Sequence, residues 1–468
     1  LCVTAVPLFY RARVFTAYEY LEQRFDAKTR TLTSFFFLLS RGLGAGVIIA
    51  APAVVLSIVL GWDELVTIFV IGLSTTVYTM LGGVQSVTWT DVKQMVIILV
   101  GLSLCVFVII TNLPAGVSFN DAMNVAGAAG KLQTIDFTFD LTEPYTIWSG
   151  MIAALFLFLS YFGCDQSQVQ RYLTARSVDE GRVSLLMSAF LKIPMQFLFL
   201  LVGILVFVFY LFSTPPMIFN EEDVTRAAQV QPLEHERLQG EFAEAHQLRH
   251  SAALRFIEER GSAEQVTARA NYIAANETYQ DKRREATEFV RQTNGDSSFT
   301  DVNYVFPVFV LENMPLGLVG LIVAAILAAA MSSVAAELNA LATASTMDFY
   351  RRHINVNSSE KQMLRFGRLS TLAWGVFACI VATFATNLGS LIEVVNTFGS
   401  FFYGSLLGVF VLAFAVPRAK SAGAFYGLLF GIVSVWIASS TTDIAFLWFN
   451  VVGCLVTVAA GYLISIVR

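Results

Sequence analysis

The residues able to do chemistry inside the apolar parts of this chain fall in four places. In AAAMSSVAAELNAL, residues 328–341, Ser332, Ser333 and Glu337 interrupt a run that is otherwise hydrocarbon. Polar groups are costly in a bilayer unless they bind something. Two hydroxyls and a freed backbone carbonyl near Ala329 are hard oxygen ligands of the kind that suit Na⁺. The alternative is that each serine bonds back to the carbonyl four residues earlier, a common habit of membrane helices. In VTWTDVKQ, Asp91 opens an apolar run and also fits a plain helix cap. In SYFGCDQSQVQR, Gly163 ends an apolar run, and Asp165, Gln166, Ser167 and Gln168 follow before Arg171. That pattern fits a helix leaving the membrane, or a broken helix whose polar residues face a cavity. Lys192 in AFLKIPMQF and Arg41 lie inside their runs, where snorkelling to the interface is the default expectation.

The elements that carry these residues are membrane helices. The chain has 468 residues, 56% hydrophobic and 14% charged, which is far below the charge of a soluble domain. Ten segments are long and apolar enough to span, at about 32–60, 65–82, 92–112, 146–165, 183–212, 316–345, 367–386, 391–415, 422–440 and 444–467. They are too long and too evenly apolar for barrel strands, so the fold class is an all-α polytopic membrane protein. Arginine and lysine alternate between loops. They are concentrated at 9–31, 166–182, 346–366 and 416–421 and scarce in the loops between. The positive-inside rule then puts both ends of this chain in the cytoplasm. Residues 213–305 are polar and rich in Glu and Arg, and parity places this insert outside, in the periplasm or exterior. Its His246 and His250 are spaced as a metal pair, but no third ligand is evident, and a solvated helical cap is the simpler reading. LCVTAVPLFY reads as the tail of a helix that begins before this chain.

Several function classes are excluded. Net charge is −5, so no basic face is offered to nucleic acid. No G-x-x-x-x-G-K-[ST] is present for ATP, so any transport is secondary. All four histidines lie in polar loops, and no nucleophile–base set is visible, so an enzyme is not expected. The five cysteines are far apart and read as small buried hydrophobes.

Taken together the chain resembles the sodium/solute symporter family, whose members carry sugars, sialic acid, proline, iodide and vitamins. TAYEYLEQRF at 16–25 is similar to that family's Y-E-Y-L-E-x-R-F loop. YTMLGGVQSVTWTDVKQ at 78–94 resembles its Y-T-x-x-G-G stretch, with Ser86 where Ala is usual. DQSQVQRYLTARS at 165–177 and the long segment 304–350 match two further signatures.

The resemblance implies a leucine-transporter-like core of ten helices in two inverted repeats. The 32–60 and 316–345 spans become core helices three and eight. Core helix one and most of helix two are expected to lie before this chain. It further implies four parts: core helices at 1–212, the outer insert at 213–305, core helices eight to ten at 306–415, and two peripheral helices at 416–468. The Ala329 carbonyl and the Ser332 and Ser333 hydroxyls become Na⁺ ligands, with Asp91 on the ion's route. Asp165, Gln166 and Ser167 fall at the substrate side of a broken helix six, Ser167 standing where a gating Tyr is found. Lys192 matches a substrate-side Lys, and Asn396, Ser400 and Tyr403 are cavity candidates. Glu337 is left to support the first ion site or a proton path. The expected function is Na⁺-coupled symport of a small organic solute such as a sugar, sialic acid or another organic acid or polyol. The expected form is a monomeric unit in the inner cell membrane. The rival is a sensor that keeps a transporter body as its input.

Family members that use a second Na⁺ carry hydroxyls at the positions occupied here by Ala335 and Ala336. A methyl group cannot ligate Na⁺, so one ion per solute is expected. Uptake by the full-length protein should rise hyperbolically with Na⁺, with a Hill coefficient near one. A sigmoidal rise would mean that another group has rebuilt the second site.

Overall fold

The computed structural model describes residues 1–133, 135–296, 299–385 and 391–467; the side chains of 83–91, 391 and 392 lie outside the description. Two short helices open the chain, α1 (Ala5–Ala12) and α2 (Ala17–Arg24). Three long ones follow with shorter pieces between them: α3 (Ala27–Leu60), α4 (Glu64–Thr111), α5 (Phe119–Ala128), α6 (Ala154–Gly163), α7 (Gln166–Leu173) and α8 (Val178–Phe212). The insert supplies α9 (Glu221–Val230), α10 (Pro232–Glu258) and α11 (Gln265–Asn294). The chain then continues through α12 (Val302–Asn313), α13 (Leu316–Ala344), α14 (Glu360–Ala385), α15 (Leu391–Ala415), α16 (Ser421–Thr441) and α17 (Phe449–Val467). Among the described residues nine helical segments are long and apolar enough to span, or ten if the bent pair α6–α7 counts as one span. α4 carries two of them, Glu64–Gly82 and Val92–Thr111.

Caps set where several helices begin. Asp26 accepts from the Thr29 amide at 2.8 Å and starts α3 before its apolar run. Ser177 accepts from the Glu180 amide and starts α8. The stretches between apolar runs contain helical pieces of their own, α2 within 9–31 and α5 between the 92–112 and 146–165 runs.

α3, α4, α13 and α14 pack together through small residues and buried hydrophobes. A Cβ at Gly46 of α3 would lie 2.5 Å from Val381 and 2.9 Å from the Ala378 carbonyl of α14. A Cβ at Gly42 would meet Trp374 at 2.6 Å. The glycines of RGLGAG thus admit a neighbouring helix, as small residues do in membranes, although Gly44 has open space. The α3 and α13 faces meet at Ile49, Val334, Leu338 and Leu341 within one buried cluster.

The insert is a folded body with its own core. Leu238, Phe242, Tyr279, Phe289 and Val290 bury against one another between α10, α11 and α9. Phe256 and Tyr272 join Val125 of α5 and Leu211 of α8 in a second cluster that docks it on the spanning helices. Arg249 Nη2 donates to the Tyr210 carbonyl at 2.7 Å, and His246 Nε2 lies 3.2 Å from the same oxygen. Two side chains of the insert thus cap the C-terminal turn of α8, where carbonyls lack helical partners. Burial first, and then the Arg249 charge, hold His246 below the usual imidazole range.

Candidate functional site

The helix that passes Gly163 breaks. Cys164 and Asp165 leave the helical conformation, and α7 resumes at an angle of 48° to α6. Asp165 caps the new helix, its Oδ1 accepting from the Ser167 amide at 2.8 Å and from the Ser167 hydroxyl at 2.7 Å. Of the two readings left open by this stretch, the structure has the broken helix. The polar residues at the break then point in different directions. Gln166 turns toward the link between α1 and α2: its Nε2 donates to the Phe15 carbonyl at 3.1 Å, and its Oε1 accepts from the Ala17 amide at 2.8 Å.

Asp165 points the other way, to Arg41. The guanidinium Nε lies 2.6 Å and Nη2 2.5 Å from Asp165 Oδ2, while Nη1 lies 3.0 Å from Glu337 Oε1. The ring of Tyr161 lies 5.0 Å and that of Tyr403 5.1 Å from the guanidinium carbon. Arg41 therefore does not snorkel, contrary to the expectation. It is buried because two carboxylates and two aromatic faces replace its water, the condition under which a charge can stay inside a protein.

Ser333 is exposed and donates to the Ala329 carbonyl at 3.0 Å, which is the back-bonded geometry. Ser332 is half-buried. α13 runs unbroken from Leu316 to Ala344, with no glycine or proline after Gly320. The freed carbonyl expected at Ala329 is therefore not produced by an interruption of this helix. Glu337 lies one turn beyond Ser333, but its carboxylate goes to Arg41.

The remaining candidates divide. Tyr403 joins the Arg41 cluster, and its backbone carbonyl accepts from Ser160 of α6 at 2.7 Å. Ser400 is fully buried and accepts from Asn450 Nδ2 of α17 at 3.0 Å, because the peripheral helix lies against that side of α15. Asn396 is half-buried on α15, and Lys192 is exposed on α8 with its ammonium 5.1 Å from the Phe162 ring centre. Asp91 lies outside the described side chains.

A second ionic cluster was not anticipated. Asp348, wholly buried beyond the end of α13, receives Arg30 of α3 at 2.6 Å, the Thr16 hydroxyl at 2.7 Å and the Ser34 hydroxyl at 2.9 Å. Glu22 of α2 pairs with both Arg30 and Arg352. The basic residues were visible in the sequence, but only as loop charge. The signal available was Asp348 itself, an acid directly after a spanning run.

A family model described as the sodium:solute symporter family matches residues 1–236 and 292–431. The chain belongs to that family. The parts left unmatched are 237–291, within the insert, and 432–468 at the C-terminal end. The sodium/sialic acid symporter NanT of Aliivibrio fischeri is 27% identical over 461 residues, covering 98% of this chain and 75% of that protein. SiaT of Proteus mirabilis is 26% identical, over 97% and 76% of the two chains. The sodium-coupled monocarboxylate transporter 2 of mouse is 26% identical, over 98% and 68%. A solved substrate-bound, outward-open state of a Na⁺-coupled sialic acid symporter superposes with a TM-score of 0.72 at 24% identity, covering 100% of this chain and 80% of that one. At that identity the likeness speaks to the fold, which is the leucine-transporter-like architecture. As a family member the protein is a multi-pass membrane transporter that couples movement of a small solute to Na⁺, in a family of carriers rather than enzymes.

Replacing Arg41 of this symporter by Leu would strand two buried carboxylates. Breaking a buried ion pair from one side costs about 3–5 kcal/mol. The full-length R41L protein in detergent should therefore show a clearly lower apparent Tm than wild type, with R41K falling between them. Equal melting of wild type and R41L would show that the cluster carries no net stability.

Proposed function

We propose that this sodium:solute symporter works by alternating access around α13 and the broken pair α6–α7. On this reading residues 1–212 and 306–415 form the transport core, 416–468 flank it, and 213–305 cap its outer face. The observation that carries it is the pairing of an exposed hydroxyl on α13, at Ser333, with a helix broken at Asp165. Ala329, Ser332 and Ser333 hold the Na⁺, and Asp91 lines its route inward. A hydroxyl bonded to its own helix keeps its lone pairs, so the back-bonded Ser333 still offers an oxygen to an ion. One Na⁺ moving down 100 mV contributes about 2.3 kcal/mol before its concentration gradient is counted.

The solute is a small polar organic molecule, and the relatives named for sialic acid and monocarboxylates favour one that bears a carboxylate. Arg41 is the buried cation able to receive it, but only by exchange. A solute carboxylate there takes the place of Asp165 or Glu337. Asp165, Ser167 and Tyr403 stand beside that exchange, whereas Gln166 serves it indirectly by fixing the α1–α2 link against α7. Lys192 and Asn396 lie on helices that border the same region.

The protein is read as a monomeric carrier of the inner cell membrane, with the ends of this chain cytoplasmic. A single Cys placed at Ser262 in the insert should react with a membrane-impermeant maleimide in intact cells, or in spheroplasts where an outer membrane blocks the reagent. Labelling only after the inner membrane is lysed would invert the topology.

The decisive experiment is uptake by the full-length protein in proteoliposomes, with radiolabelled sialic acid and a monocarboxylate as probes. An inward Na⁺ gradient should drive accumulation. S332A and S333A should each lower the initial rate by roughly tenfold or more, about 1.4 kcal/mol per factor of ten. Unchanged uptake in both variants would remove the hydroxyl pair from the ion site.

A further inference from the structure

Among the described residues three arginines are buried. Arg30 meets Asp348 and Glu22, and Arg41 meets Asp165 and Glu337. Arg249 of α10 is the most enclosed of the three, at 1% exposure, and no carboxylate meets it. Aromatic rings and other cations surround it instead. Its guanidinium carbon lies 3.6 Å from the ring centre of Tyr279 and 5.9 Å from that of Phe207. Lys131 lies over the same Phe207 ring, at 5.3 Å. Arg283 of α11 acts on Arg249 with a like charge, and Asp301 is already engaged by Arg283 at 2.8 and 3.0 Å. The Tyr210 carbonyl receives Nη2, but a helix end carries only about half a charge, and His246 shares that oxygen. Burial above all, and Arg283 after it, hold the guanidinium below its ordinary range, although the phenols of Tyr279 and Tyr272 act the other way. A buried ion without a counter-charge is costly.

Polar atoms without partners gather at the same place. Arg249 Nε, the Tyr272 hydroxyl and Asn276 Oδ1 are buried and have no hydrogen-bond partner among the described residues. The pairing of α10 with α11 brings them together. Arg249 lies against Tyr279, and Phe256 stacks on Tyr272 with ring centres 6.1 Å apart. Those two contacts fix an antiparallel register. Asn276 is one turn from both Tyr272 and Tyr279, so it faces α10 between them. The Arg249 charge acts on the Tyr272 hydroxyl as well. The oxygen and nitrogen of an Asn amide exchange places when the group is turned over. Asn276 then offers Nδ2–H beside the Arg249 Nε–H and the Tyr272 O–H. Donors closed off from solvent around an uncompensated cation suit a small anion. Water would satisfy the same atoms but would bring no charge.

We propose that Arg249, Tyr272 and Asn276 bind a halide, chloride in ordinary surroundings, inside the insert. The anion supplies the counter-charge that Arg30 and Arg41 obtain from acids. Nη2 of the same guanidinium holds the Tyr210 carbonyl, so the anion also braces the insert on the C-terminal end of α8. All three residues lie in the 237–291 stretch that the family model leaves unmatched, and none belongs to the Na⁺ or solute reading.

Melting of the purified full-length protein tests the site, with Na⁺ held constant while methanesulfonate is replaced by chloride or bromide. A ligand that binds only the folded state stabilises it as RT ln(1 + [L]/Kd), so the apparent Tm of wild type should climb with halide along that curve. R249M strands no carboxylate, and it should lose the halide dependence. Y272F deletes one donor and should move the halide midpoint upward by roughly three- to tenfold, the worth of one hydrogen bond. Crystals soaked in bromide should show an anomalous peak between Arg249 and Tyr272. Equal melting of wild type in halide and in methanesulfonate overturns the site and leaves water on these atoms. A halide response that survives in R249M, a Y272F midpoint equal to that of wild type, or saturating bromide without the peak overturns it too. Uptake plays no part in these measurements, so they are read independently of the symport reading.

Discussion

The arrangement depends on keeping an arginine ionised inside the membrane. Arg41 is buried and is held by Asp165 and Glu337, so three helices must arrive at one point with the right side chains. That requirement accounts for otherwise odd local features. Gly42 and Gly46 let α3 lie close to α14 on one side while Arg41 reaches α13 and α7 on the other. The break after Gly163 turns α7 so that its capping residue presents one carboxylate oxygen to its own helix and the other to Arg41.

Arg30 and Arg41 are separated along α3 by the same number of residues as Glu337 and Asp348 along the other strand of the contact, and they pair in reverse order. Eleven residues are close to three turns of helix, or about 16 Å, so both arginines fall on one face. α3 and α13 are thus two antiparallel rods tied at both levels by buried ion pairs. The lower tie gathers the α1–α2 link through Thr16 and α2 through Glu22. Charge placement at this depth specifies register more than it adds stability, since desolvation offsets most of the Coulomb gain.

The spans were legible because hydropathy acts locally, and the break at Asp165 was visible as one of two readings because Gly163 and the polar run after it are local signals. Arg41 was visible as an anomaly, but its partners lie 124 and 296 positions away and no local rule pairs them. The partner of Ser400 was hidden for a related reason. Asn450, 50 positions along the chain, donates to that hydroxyl. The serine pair on α13 was found by composition alone. Its geometry fits the back-bond and leaves the ion role to be argued from chemistry. The docking of the insert was invisible because Arg249 and His246 look like solvated charges until the Tyr210 carbonyl is seen beside them.

The ties differ in what they join. α3, α4, α13 and α14 interlock through residues that leave no slack: Gly46 under Val381, Gly375 under Thr76, and Tyr78 bonded to the Met331 carbonyl. Arg30–Asp348 and Arg41–Glu337 lie within this block, so a motion that treats the block as rigid leaves them intact. Arg41–Asp165 joins the block to α7, which continues from the broken helix. Packed groups with discrete arrangements move by exchanging contacts at their borders rather than by stretching inside. The Asp165 limb is therefore the contact that a rocking of the block against α6–α7 must break and remake.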